Sequence, residues 1–145
     1  MCILRFVAFA LTLAVAPSSI EAQPREITRD QARLLVRAVL ASQGFDLNSP
    51  SLVIDDQPDK PEFPEYYLFS AYTRGEGMDF SAGAYAVSRR TADVWNWMHC
   101  WRFRRAKRLH VLQKQLRKEI GLSESDYRKL SAERPFCFSI PVTDR

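Results

Sequence analysis

Three aromatic, β-prone runs set close together constrain this chain more than any other feature. They are Glu65 to Thr73 (EYYLFSAYT), Phe80 to Ser88 (FSAGAYAVS) and Asp93 to Met98 (DVWNWM). The first two are separated by a turn-like stretch containing Gly75 and Gly77, the last two by Arg89 to Ala92. A shorter run, Ser51 to Asp55, comes before them. The loop in between holds Pro58, Pro61 and Pro64, which fix φ and remove backbone donors.

Helical periods flank these runs. Thr28 and Gln31 have capping-box spacing, and Ala32, Leu35, Val36, Val39 and Leu40 repeat on one face up to a stop at Gly44. This predicts a helix from about Arg29 to Gln43. Leu109, Leu112, Leu116 and Ile120 form a second stripe, ended by Gly121, with Leu122 placed for the accompanying apolar contact. Ser123 then caps a short helix to about Leu130. Strands in series between helices point to the α+β class. The expected architecture is an N-terminal helix, an antiparallel four-stranded meander and a C-terminal helix packed on the sheet.

The first residues have a different character. Arg5 precedes an apolar run from Phe6 to Ala16, interrupted by Thr12, and Ala22 stands at a cleavage-like position. A run this short matches the apolar region of a signal peptide, whereas a spanning helix needs about 20 apolar residues. The expected organisation is a signal peptide over 1–22 and a single small α+β domain over 23–145, secreted or periplasmic. Cleavage would leave two of three cysteines, Cys100 and Cys137, and an oxidising compartment normally joins such a pair.

The strand–turn–strand Tyr85-Ala-Val-Ser-Arg-Arg-Thr91-Ala-Asp93-Val94-Trp95 is similar to that of PepSY-type and related cystatin-like secreted domains. Their pattern is a tyrosine-valine strand, a short polar turn, then Thr-Gly-acid-Val. This chain has Ala92 where those domains have glycine. The resemblance covers about Thr28 to Met98 and implies a binding or inhibitory module rather than a catalyst.

Reactive constellations are sparse. His99 and Cys100 are adjacent and so point apart on a strand, His110 is the only other histidine, and no Cys-x-x-Cys occurs. Asp55, Asp56, Asp59 and Glu62 lack the spacing of a calcium loop and read as a solvated acidic segment. Arg102, Arg104 and Arg105 could depress a Cys100 thiol, but Cys137 is available to pair with it. No Gly-x-Ser-x-Gly or phosphate loop is present. Neither a cofactor nor a metal is expected.

The strongest candidate feature is basic. Arg102, Arg104, Arg105, Lys107, Arg108, Lys114, Arg117 and Lys118 occur with no acidic residue among them, in a chain of net charge +4. Such a segment can attract polyanions or an anionic membrane surface, or lie solvated. Among the many aromatics, Trp97 and Trp101 are candidates for anchoring an interface. The sequence therefore leads to an exported, non-enzymatic binding module, an inhibitor or immunity-type protein with a protein partner in the cell envelope. The alternatives are a binder of anionic envelope polymers or membrane through 102–118, and a small secreted hydrolase. Nucleic acid is not an expected partner of an exported protein.

Overall fold

A computed structural model describes residues 25–132. The expected signal segment, and Cys137 as the expected partner of Cys100, lie outside the described residues.

Helix α1 spans Arg29–Ser42. Thr28 Oγ1 accepts from Gln31 N at 3.2 Å, and Gln31 Oε1 accepts from Thr28 N at 2.8 Å, so the capping box forms in both directions. The apolar stripe Ala32, Leu35, Val36, Val39 and Leu40 is fully buried. Gly44 follows at φ 90, a left-handed conformation that glycine adopts at little cost.

Five strands form one antiparallel sheet in chain order: β1 (Leu52–Asp56), β2 (Tyr66–Arg74), β3 (Asp79–Ser88), β4 (Val94–Asn96) and β5 (Trp101–Arg102). The expected meander had four. The run from Asp93 to Met98 looks continuous in sequence, but its strand stops at Asn96. There Asn96 Oδ1 accepts the backbone N–H groups of Met98 at 3.1 Å and His99 at 3.0 Å. This Asx-type turn competes with the ladder for those donors. Cys100 then takes φ 54, and the chain returns so that Trp95 and Asn96 pair with Arg102 and Trp101.

Helix α2 spans Lys107–Glu119 and α3 spans Glu124–Ser131. Leu109, Leu116 and Ile120 join the α1 stripe and Phe69, Tyr85, Val87 and Val94 in one buried cluster, with Leu112 at its margin. Both long helices thus cover the sheet face that bears Phe69 and Tyr85. Gln113 is also buried, and its Nε2 donates to Ala92 O at 3.0 Å. Ala92 has φ 58, so alanine itself carries the positive φ at the turn where glycine would be expected.

Arg33 of α1 reaches the outer edge of β1. It donates to Ile54 O at 2.8 Å and pairs with Asp56 at 2.7 Å. One carbonyl of that edge is thereby taken by a side chain.

Candidate functional site

The basic segment divides into an inward and an outward part, and Asp93 makes the division. Its Oδ2 accepts from Arg102 at 2.9 Å and from Thr91 Oγ1 at 3.2 Å. Its Oδ1 accepts from Arg117 at 2.9 Å and from the Tyr127 hydroxyl at 3.2 Å. The Asp93 side chain is 5% exposed, and the two arginines 14% and 16%. Arg117 also donates to Thr91 O at 2.7 Å and lies 3.6 Å from the Tyr127 ring centroid. Burial, followed by the charge of Asp93, pushes the Tyr127 hydroxyl pKa upward. This junction ties β4, β5, α2 and α3 together around one carboxylate. Arg102 and Arg117, expected on a binding surface, are therefore internal ion-pair partners.

The other six cations point outward. Arg104, Arg105, Lys107, Arg108, Lys114 and Lys118 are exposed. Among the described residues, none of them forms an ion pair. Four of them crowd the start of α2. There the N-cap Ala106 offers no side-chain bond and the first turn holds no acid. The positive end of the helix dipole adds to their field.

The two tryptophans differ. Trp97 is half-buried, meeting Phe63 edge-on at 6.0 Å with the Lys60 ammonium 5.0 Å from its centroid. Trp101 is 45% exposed and leans on Phe103, centroids 4.2 Å apart. Phe103 in turn lies 5.8 Å from Tyr85.

Trp101 and the first outward arginines border a cleft of about 530 Å³. One wall is the C-terminal end of α1, Ser42 and Gln43. The other is the chain from Trp101 to Ala106. The Tyr85 hydroxyl lies 2.9 Å from both Gln43 Oε1 and Ala82 O, which fastens α1 to the sheet behind the cleft. Burial raises the Tyr85 pKa to about 12, which keeps this hydroxyl neutral and able to donate. Of the residues bordering this cleft, the sequence singles out Trp101, Arg102, Arg104 and Arg105. It gives no sign of Ser42 and Gln43, because polar residues at a helix end look like any solvated terminus. A second cleft, about 320 Å³, lies between the proline-rich loop and α3, with Glu62, Glu65, Arg90, Trp95 and Leu130 in its lining.

No family model matches the chain, and no curated protein matches it. One solved structure does: that of a type VI secretion system effector–immunity complex from Pseudomonas protegens. A chain in it is 32% identical to this one, with a TM-score of 0.61, over 74% of this chain and 88% of that one. This chain belongs to that protein's family. Identity at this level over most of both chains reflects more than a shared α+β architecture. The likeness extends to a protein solved in complex with another.

Proposed function

We propose that this chain is an immunity-type binding protein that docks a protein partner and neutralises it by occupying its surface. The observation that carries this reading is the 32% identity, over 88% of its length, to a chain in an effector–immunity complex. The chemistry of the described residues supports it. Such a protein needs a rigid, complementary face rather than a reacting centre. The most elaborately held carboxylate, Asp93, is occupied by two arginines, a threonine and a tyrosine, whereas exposed aromatic and cationic groups remain at Trp101, Arg104 and Arg105.

We further infer that the chain is exported to the cell envelope, losing its first residues near Gln23. Cys100 and Cys137 would then meet an oxidising compartment, and non-reducing peptide mapping should recover them as one linked peptide. Protein from the native host should begin near Gln23. Intact Met1 in the cytosol would overturn the export reading.

The docking reading is tested by tagging the mature chain in its native cells and purifying it in 500 mM salt. One co-purifying protein in a stoichiometric complex is the expected result, and its toxicity should be suppressed when the chain is co-expressed. Retention of no protein would overturn the reading. A second reading, attachment to anionic polymers or lipid, is favoured by the six cations that form no ion pair among the described residues. It predicts material that elutes as salt is raised.

A further inference from the structure

We propose that the cleft between the end of α1 and the β5–α2 connection is the surface that docks the partner. It would take an acidic segment of that protein, with an apolar side chain seated against Trp101 and Phe103. The inference rests on the immunity-type reading and names the partner's chemistry.

Charge placement is the first argument. Several arginines pair with this chain's own carboxylates: Arg29 and Arg89 with Asp59, Arg33 with Asp56, Arg90 with Glu65, Arg128 with Glu124. Arg104 and Arg105 stand beside each other and beside two further cations at the start of α2. Among the described residues, neither has a carboxylate partner and the cleft lining holds no acid. Their neighbours Lys107 and Arg108 sit in the first turn of an uncapped helix, where positive charge opposes the dipole and disfavours the fold. A cluster that costs stability and has no ion-pair partner among the described residues is complementary to an external anion. Guanidinium groups are also suited to holding carboxylates in a defined geometry.

Shape is the second argument, and it selects a protein segment over a membrane. The cationic groups rim a concave site with one aromatic wall and one polar wall, a shape that admits a side chain and not a lipid plane. Helix α2 has no free apolar face to lay in a bilayer, because Leu109, Leu116 and Ile120 are buried in the core. Trp101 is half-exposed, with Phe103 close beside it, the disposition of an aromatic interface anchor. Both walls are fixed in advance, one by Tyr85 bonding Gln43, the other by Arg102 bonding Asp93. Preorganisation of this kind lowers the entropic cost of binding.

The test uses the full mature chain, labelled with ¹⁵N, and a capped peptide Asp-Glu-Phe-Glu-Asp. The peptide should shift the Trp101 indole and the Arg104 and Arg105 amides, and a Lys-Gln-Phe-Gln-Lys peptide should not. The double variant Arg104→Glu/Arg105→Glu should bind the peptide at least tenfold more weakly with a melting temperature no lower than wild type, since both side chains are exposed and acid near the start of α2 suits its dipole. Trp101→Ala should weaken binding without changing its charge selectivity. Absence of a footprint at millimolar peptide, or equal shifts from the basic peptide, would overturn the proposal. So would heparin or anionic vesicles footprinting these residues when the acidic peptide does not. A protein partner that binds the charge-reversed variant as tightly as wild type overturns the cleft and leaves the immunity-type reading standing. A peptide footprint in a chain that retains no protein partner does the reverse.

Discussion

Asp93 shows how a single residue can set what a surface offers. Its carboxylate turns two arginines inward, so a segment that reads as eight outward cations presents six. Removing it would strand two buried guanidinium groups. Asp93→Ala should therefore destabilise by about 3–5 kcal/mol, the usual cost of leaving a buried charge without its partner. Urea denaturation would read this, and a loss under 1 kcal/mol would mean the arginines find other partners. One residue before it, Ala92 holds a positive φ. Ala92→Gly relieves the positive φ and removes a buried methyl group, two effects of about 1 kcal/mol each with opposite sign, so its stability should barely change. Tyr85 adds a pH dependence. Burial raises its pKa to about 12, above the value near 10 of an unfolded tyrosine. The folded state favours the neutral form. Its contribution is therefore complete below about pH 10 and is lost progressively as pH rises to about 12, some 2–3 kcal/mol in all. Tyr85→Phe should flatten that part of the alkaline stability profile.

Elements whose identity rests on period were legible, and those that rest on side-chain-to-backbone bonds were not. Helix α1 could be read almost to its last residue because cap, stripe and stop all agree. Helix α2 was legible as an element, but one position of its stripe was misread. The spacing suggested Leu109, Leu112, Leu116 and Ile120. The buried set instead includes Gln113, whose amide holds the Ala92 carbonyl, and leaves Leu112 at the margin. A glutamine at that position looks solvated until the turn it bonds is known. The consequence is quantitative: Leu109→Ala should cost about 2–5 kcal/mol, and Leu112→Ala clearly less. Equal losses would restore the simple stripe. Strand β5 was hidden for a similar reason, since Asn96 ends β4 through bonds that no alternation pattern displays. Of the candidate site, the residue types were visible and their direction was not. Trp101, Arg102 and Arg104 all border the cleft, but the Arg102 guanidinium is taken up by Asp93.

At the scale of the whole molecule, charge is separated rather than balanced. Six of the acidic residues lie between Asp46 and Glu65, and those at Asp56, Asp59 and Glu65 are engaged by arginines of α1 and of the β3–β4 turn. Among the described residues, the six outward cations of the β5–α2 region receive no such compensation, so the field there is positive. A field of this kind acts before contact, by steering an oppositely charged partner into its encounter. Its signature is kinetic. The association rate with an acidic protein partner should fall by an order of magnitude or more between about 50 and 500 mM salt, as the screening length drops below the spacing of the charges. The dissociation rate should change far less, because in the proposed complex it would depend on the aromatic contact at Trp101. Arg104→Glu/Arg105→Glu should flatten the salt dependence of association, while Trp101→Ala should leave that dependence intact and speed dissociation. Stopped-flow measurement of both variants separates the two contributions. If the tryptophan variant lost the salt dependence, or the charge variant kept it, steering would have to come from another part of the surface. The remaining exposed cations Lys114 and Lys118 would then be the next to reverse.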